Sequence, residues 1–188
     1  MVDAPKVLLL VTGLQGTGKS TAAAKASEVL AAPVLAHDWA MSGLRPYPRL
    51  QEALDSMEPH GRGRVGWSIL GALGRAQLRH GSSVVLDGIA RQPDIELCRQ
   101  VAADERATLI VVLTECADVD VHRSRIEGRT RDIPNWYELD WDHVQETRQS
   151  WTPPPLVDLT LNAELSAETN SEHLARLLES IESEHPAH

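Results

Sequence analysis

The run Gly13-Leu14-Gln15-Gly16-Thr17-Gly18-Lys19-Ser20 is the densest chemical signal in the chain. It satisfies G-x-x-x-x-G-K-[ST], a pattern whose glycines let the backbone curl until successive N–H groups face a phosphate. A helix opening where the curl ends adds the positive end of its dipole. Lys19 supplies a mobile cation for β- and γ-phosphates, and the Ser20 hydroxyl is a hard oxygen ligand for Mg²⁺. Gly13, Gly16, Thr17, Gly18 and Thr21 complete the cradle.

Two carboxylates end short apolar runs. Val84-Val85-Leu86-Asp87 places Asp87 at the carboxyl end of a strand, where open α/β sheets bind ligands, and so predicts a second Mg²⁺-site oxygen. Val34-Leu35-Ala36-His37-Asp38 does the same for Asp38. Beside a γ-phosphate, Asp38 would accept the proton of an attacking hydroxyl; the competing reading is a cap on the next element. His37 falls on the opposite face if the strand runs through it, and reads as packing or a minor contact.

Arg123, Arg125, Arg129 and Arg131 form a basic cluster with only Glu127 among them. Arg125 and Arg129 stand i, i+4 and would project from one helix face. A triphosphate would neutralise the cluster, and arginine contacts to a transferring phosphoryl group accelerate its transfer. A solvated helix end favoured by its own dipole is the alternative.

Gly61-Arg62-Gly63-Arg64-Val65-Gly66 fits G-x-G-x-x-G, but no strand precedes it, so it predicts a loop entering a helix near Gly66. Arg62 and Arg64 are then solvated, or, with Arg45, reach an acceptor. Trp136 either stacks on that acceptor or packs, while Trp141 and Trp151 read as packing. The His residues show no metal-ligand spacing, and no G-x-S-x-G occurs.

The elements that must hold these groups follow from hydrophobic pattern. Apolar runs at 7–11, 34–36, 84–86, 109–113 and 157–161 predict five strands, the first four apolar throughout, as in a parallel sheet covered on both faces. Helices are predicted at 19–31, 66–80, 94–103, 119–127, 142–151 and 171–182. The alternation is that of an α/β domain. Irregular stretches at 39–60 and 128–141 predict functional loops.

The chain has 188 residues, 18 Lys+Arg against 27 Asp+Glu, and a net charge of −9. One domain over 1–188 is expected. The acidic balance argues against a protein that coats nucleic acid. Two cysteines, Cys98 and Cys116, exclude a disulfide framework and a zinc knuckle. No apolar run suits a signal peptide or a membrane span, so a cytoplasmic location is expected.

The phosphate loop, strand-end Asp38, Val85-Leu86-Asp87 and Arg125-x-x-x-Arg129 together resemble the P-loop kinases of small molecules. The likeness runs from Lys6 to about Leu178 and is nearest to the AAA-type predicted kinases. These are related to chloramphenicol phosphotransferase, zeta toxin, gluconate kinase and the kinase domain of polynucleotide kinase. The resemblance implies a five-stranded parallel sheet in the order 2-3-1-4-5, an acceptor region at about 39–66 and a lid at about 123–141.

It also implies ATP and Mg²⁺, with Lys19 and Ser20 on phosphates and metal, Asp87 supporting the metal and Asp38 as base. Arg125 would lie on adenine, Arg129 would reach the phosphates, and Ala163, in the turn Asn162-Ala163-Glu164, would contact adenine. The absence of N-K-x-D favours ATP over GTP. The acceptor implied is a small-molecule hydroxyl. A polynucleotide 5′-hydroxyl and a non-catalytic nucleotide-dependent regulator are the alternatives. The segment Arg131-Asp132-Ile133-Pro134-Asn135-Trp136 departs from gluconate and shikimate kinase lids, so their substrates do not transfer.

Overall fold

The structure, a computed structural model, describes residues 6–58 and 60–184. Five parallel strands lie in the order β2-β3-β1-β4-β5. They are β1 (Val7–Gly13), β2 (Val34–Ala36), β3 (Val84–Asp87), β4 (Thr108–Glu115) and β5 (Leu159–Asn162). The helices are α1 (Lys19–Leu30), α2 (His37–Ser42), α3 (Pro48–Asp55), α4 (Gly61–Arg79), α5 (Gln92–Asp104), α6 (Val119–Glu127), α7 (Trp141–Ser150) and α8 (Ala167–Glu184).

Strand periodicity sorts the core into two layers. Leu9 and Val11 of β1, with Val85, Ile110 and Val112, face Ala22, Ala23 and Ala26 of α1 and Leu174 and Leu178 of α8. Leu8 and Leu10, with Val84, Leu86 and Val111, face Trp67, Leu70 and Leu78 of α4 and Ile95, Cys98 and Val101 of α5. Because β1 is buried along its whole length, both of its faces must be apolar. Each buried Leu or Val contributes about 1.5–3 kcal/mol through removal from water.

Helix starts are set by local chemistry. The Asp118 carboxylate accepts from Asp120 N and Val121 N at the head of α6, and Asp140 accepts from His143 N at the head of α7. At α5, the Asp94 carboxylate accepts from Arg91 N at 2.8 Å, with Pro93 in the first turn.

Three expectations need correction. The 39–60 stretch is largely helical, holding most of α2 and all of α3, because Pro48 starts one short helix and the His37–Ser42 turn docks on α4. Helix α4 begins at Gly61, so Gly61–Gly66 form its first turns and not a loop. β5 begins at Leu159: Asp158 N donates to Val111 O, its carboxylate accepts from Val111 N, and these bonds fix where pairing starts. No helix among the described residues is long and apolar enough to cross a membrane.

Candidate active site

All five strands deliver their carboxyl ends to one edge, and the chemistry predicted from sequence gathers there. Between β1 and α1 the Gly13–Ser20 loop curls back on itself: Thr17 Oγ1 donates to Leu14 O at 2.7 Å, and Lys19 Nζ donates to the same carbonyl at 2.8 Å. The loop is anchored from the next strand by a 2.7 Å hydroxyl–hydroxyl bond between Thr17 and Thr114. Gly13 is obligatory there. Its φ is +143°, and a Cβ would sit 2.1 Å from Thr114 O.

A second anchor is invisible in the motif. His122 of α6, fully buried, makes a 2.5 Å bond to Gln15 O through Nε2. Arg148 of α7 donates to its Nδ1 at 2.7 Å, so the ring is the neutral tautomer with its proton on Nε2. Burial lowers the His122 pKa below the ordinary range; the Gln15 carbonyl opposes the shift and the Arg148 charge reinforces it.

Beside the loop, Ser20 Oγ donates to Asp87 Oδ2 at 3.0 Å. Asp87 is 6% exposed, and its burial raises its pKa, with Lys19 acting in the opposite sense. Burial lowers the Lys19 pKa against the pull of Asp87 and Asp38. A hydroxyl and a carboxylate, both hard oxygens at a phosphate-binding curl, fit Mg²⁺, which takes only one or two protein oxygens and fills the rest with phosphate and water. No group of three or more His, Cys, Asp or Glu able to hold a metal alone occurs among the described residues.

Several cavities adjoin the loop. A small one, about 70 Å³, is lined by Thr17, Gly18, Thr21, Arg125, Ala163 and Asn170. Arg125 donates there to Ala163 O. A larger cleft, about 520 Å³, holds Lys19, Ser20, Asp38, Asp87, Arg129 and Trp136. A third, about 590 Å³, shares Asp38, Trp136 and Tyr137 with the second and continues toward His37, Arg62 and Trp67. Asp38 and Trp136 therefore stand where the phosphate cleft meets a second chamber.

Arg125 and Arg129 do not share a helix face as the spacing predicts. Helix α6 ends at Glu127, so Arg129 leaves the helical path and joins Lys19, while Arg125 turns to the small cavity. Arg123 pairs with Glu127 at 2.7 Å and is exposed. Arg131 is 7% exposed; it donates to Asp38 Oδ2 at 2.5 Å and to Tyr137 O at 3.2 Å.

Arg62 is bonded to Asp55 at 3.0 Å and to Gln51 at 2.7 Å on the wall of the third cavity. Arg45 meets the site through aromatic rings, its guanidinium carbon 5.6 Å from the Trp136 centroid and 5.5 Å from that of Tyr137. Those two rings stack at 5.0 Å. Trp151 donates to Ala90 O and Trp141 meets His122 edge-on, both as packing residues.

His37, expected as packing or a minor contact, does pack on Trp67, but the strand stops at Ala36 and the ring also faces Asp38. Its Nδ1 lies 3.7 Å from Asp38 Oδ1 and its Nε2 is 3.0 Å from Gly63 O. Burial would raise the Asp38 pKa, but His37, Arg131 and Lys19 overcome it and hold this carboxylate below the usual range. For His37 burial acts downward, and Asp38 with the Gly63 carbonyl reverses it, leaving the pKa raised. His122 and Tyr137 are site residues that the sequence left without a role; Arg131, expected with the other arginines on a triphosphate, instead pairs with Asp38. Only Arg131 carried a signal, its place in the basic cluster.

A family model, AAA_33, described as an AAA domain, matches residues 8–154. The chain belongs to this family. No curated protein matches it.

Solved structures share the fold. A sugar kinase from Janibacter sp. HTCC2649, in unliganded form, has 14% identity and a TM-score of 0.69 over 93% of this chain and 95% of its own. A gluconokinase from Sinorhizobium meliloti 1021 has 14% identity and a TM-score of 0.67, covering 98% and 97%. The APS kinase of Mycobacterium tuberculosis, in complex with AMPPNP and APS, has 20% identity and a TM-score of 0.63, covering 93% and 98%. This AAA_33 chain thus has the fold of the P-loop kinases of small molecules.

Proposed function

We propose that this AAA_33 protein transfers the γ-phosphoryl group of ATP, with Mg²⁺, to a hydroxyl of a small molecule. The observation that carries the reading is convergence: Lys19, the Ser20–Asp87 pair, Arg129 and Asp38 line one cleft at the carboxyl edge of the sheet. The kinase names of the structural neighbours support the same class. The small cavity at Thr21, Arg125 and Ala163 is of the right kind to take the adenine, and the chamber beyond Asp38 and Trp136 to take the acceptor. The 39–66 segment then forms the acceptor wall of a single kinase domain and 123–141 its lid.

In the transfer, the acceptor oxygen bonds to the γ-phosphorus as that phosphorus parts from the bridging oxygen of ADP, and the hydroxyl proton passes to Asp38. Lys19 and Arg129 hold the equatorial oxygens, where a loose transition state keeps its charge. Ser20 and Asp87 would hold Mg²⁺, which would supply charge neutralisation to the phosphates. Asp38 must first exchange a partner. Its Oδ2 is bonded to Arg131, a cation that weakens it as a base; an incoming hydroxyl that takes Arg131's place both meets the carboxylate and restores its basicity.

The reading is tested by ATP consumption in a screen of sugars, nucleosides, polyols and antibiotics, with a 5′-hydroxyl oligonucleotide as a further arm. Mg²⁺-dependent ADP release that rises with one acceptor, and is lost in Lys19→Ala, is the expected result. Absence of MgATP binding by calorimetry would sink it.

A further inference from the structure

The G-x-G-x-x-G sequence at 61–66 forms no phosphate loop in the fold, yet one of its glycines, Gly66, is explained by a single neighbour, His37. The Gly63 carbonyl faces His37 Nε2 at 3.0 Å. One turn on, a Cβ at Gly66 would lie 2.3 Å from that same nitrogen, and a Cβ at Gly88 would lie 2.8 Å from His37 Cβ. The Trp67 ring covers the imidazole, with centroids 5.8 Å apart. The first turns of α4 and the end of β3 thus make a fitted seat for one imidazole. The seat orients it: Nε2–H donates to Gly63 O, and the Nδ1–H of the imidazolium is turned to Asp38 Oδ1 at 3.7 Å.

Asp38 is consequently held from two sides by unlike partners. Arg131, on Oδ2, comes from an irregular segment and must leave for an acceptor to enter. His37, on Oδ1, is seated between the first turns of α4 and the end of β3, against Trp67. We infer that His37 is a positioning residue for the phosphoryl-transfer base: its seat on Gly63 and Gly66 fixes the Asp38 carboxylate with Oδ2 toward the acceptor when Arg131 withdraws. The inference rests on the base role proposed for Asp38. Geometry of this kind matters because a base must lie within hydrogen-bond reach of the proton it takes, and a displacement of about 1 Å can cost ~10²-fold.

The test is MgATP turnover with water in the acceptor's place, and with any acceptor the screen yields. It is run on the wild type, His37→Gln, Gly66→Ala, Asp38→Asn and the His37→Gln/Asp38→Asn double variant. His37→Gln should lower kcat by about tenfold, a part of what a general base provides, and leave the MgATP dissociation constant unchanged. Gly66→Ala keeps the histidine but drives a methyl into its seat, and should lower kcat in the same way; it serves where His37→Gln folds poorly. The double variant should be no slower than Asp38→Asn alone, because His37 acts only through Asp38. A slow Asp38→Asn beside unimpaired His37→Gln and Gly66→Ala would overturn the positioning role and leave the base intact. A fully active Asp38→Asn would overturn the base role itself, and this inference with it.

Discussion

On one side of Lys19, eight consecutive residues make the phosphate cradle and lean on two buried neighbours, Thr114 and His122. On the other side, Asp38 and Arg131 meet from positions 93 residues apart, and Trp136 and Tyr137 close the wall from a segment without regular structure. The first arrangement is local and rigid: its donors are backbone groups, fixed once β1 and α1 are fixed. The second is assembled by side chains and holds an ion pair where the proposed acceptor would go. A preformed anion site and an exchangeable one thus share a single cleft, the division expected if a common phosphate donor meets a particular acceptor.

Substitutions on the two sides should separate in the same way. Lys19→Ala and Arg129→Ala should have the largest effect, each lowering kcat by ~10³–10⁵, the range for cationic contacts to a transferring phosphoryl group. Steady-state kinetics with the acceptor saturating would measure it, and a loss in acceptor KM alone would blur the boundary between the halves. Gly13→Ala should come next. With φ at +143° and Thr114 O 2.1 Å from the new carbon, it should cost on the order of 3 kcal/mol or more, read as a fall in the urea midpoint.

Asp38→Asn should lower kcat by about 10², the modest end of general-base effects, since positioning and charge dominate a loose transition state. Its MgATP affinity should match the wild type by calorimetry; a matching loss there would tie Asp38 to the nucleotide side. For Trp136→Ala a roughly tenfold rise in acceptor KM is expected, as for one desolvated ring contact. A fall in melting temperature with KM unchanged would return Trp136 to packing.

The smallest effect contrasts the two buried histidines. Neutral His122 has a lowered folded pKa, so an unfolded chain binds a proton near ~6.5 that the folded one refuses. Its stabilisation is complete above that pH and declines as pH falls toward the folded value. His37 has a raised pKa, so its contribution is complete below ~6.5 and declines as pH rises through its folded value. Relative to wild type, His122→Gln should therefore lose most melting temperature in mild alkali and His37→Gln most in mild acid. Both losses following pH in one direction would contradict the opposite charges facing the two Nδ1 atoms.

Sequence legibility followed the same line. The continuous apolar runs of β1, β3 and β4 gave strands because most of their residues are buried on both faces. By contrast β2, at the sheet edge, is apolar yet leaves Val34 37% exposed; β5 was shifted only by the Asp158 bonds to Val111. The short helices α2 and α3 escaped because neither has a long apolar period, and α2 is held by docking on α4. The Arg125 and Arg129 spacing suggested a shared face, but the helix stopped between them, a boundary that periodicity resolves poorly. Gly66 was legible as a glycine and illegible as a purpose, since the imidazole that requires it lies over twenty residues earlier.

What the amino-acid order alone determined was the phosphate curl, the strands that carry it and the two strand-end carboxylates, because backbone conformation and burial act between near neighbours. What the tertiary structure decided was which partners those carboxylates have: Ser20 for Asp87, and His37 and Arg131 for Asp38. Charge interactions depend on distance in space, and no spacing along the chain encodes the distance between an arginine after α6 and an aspartate after β2.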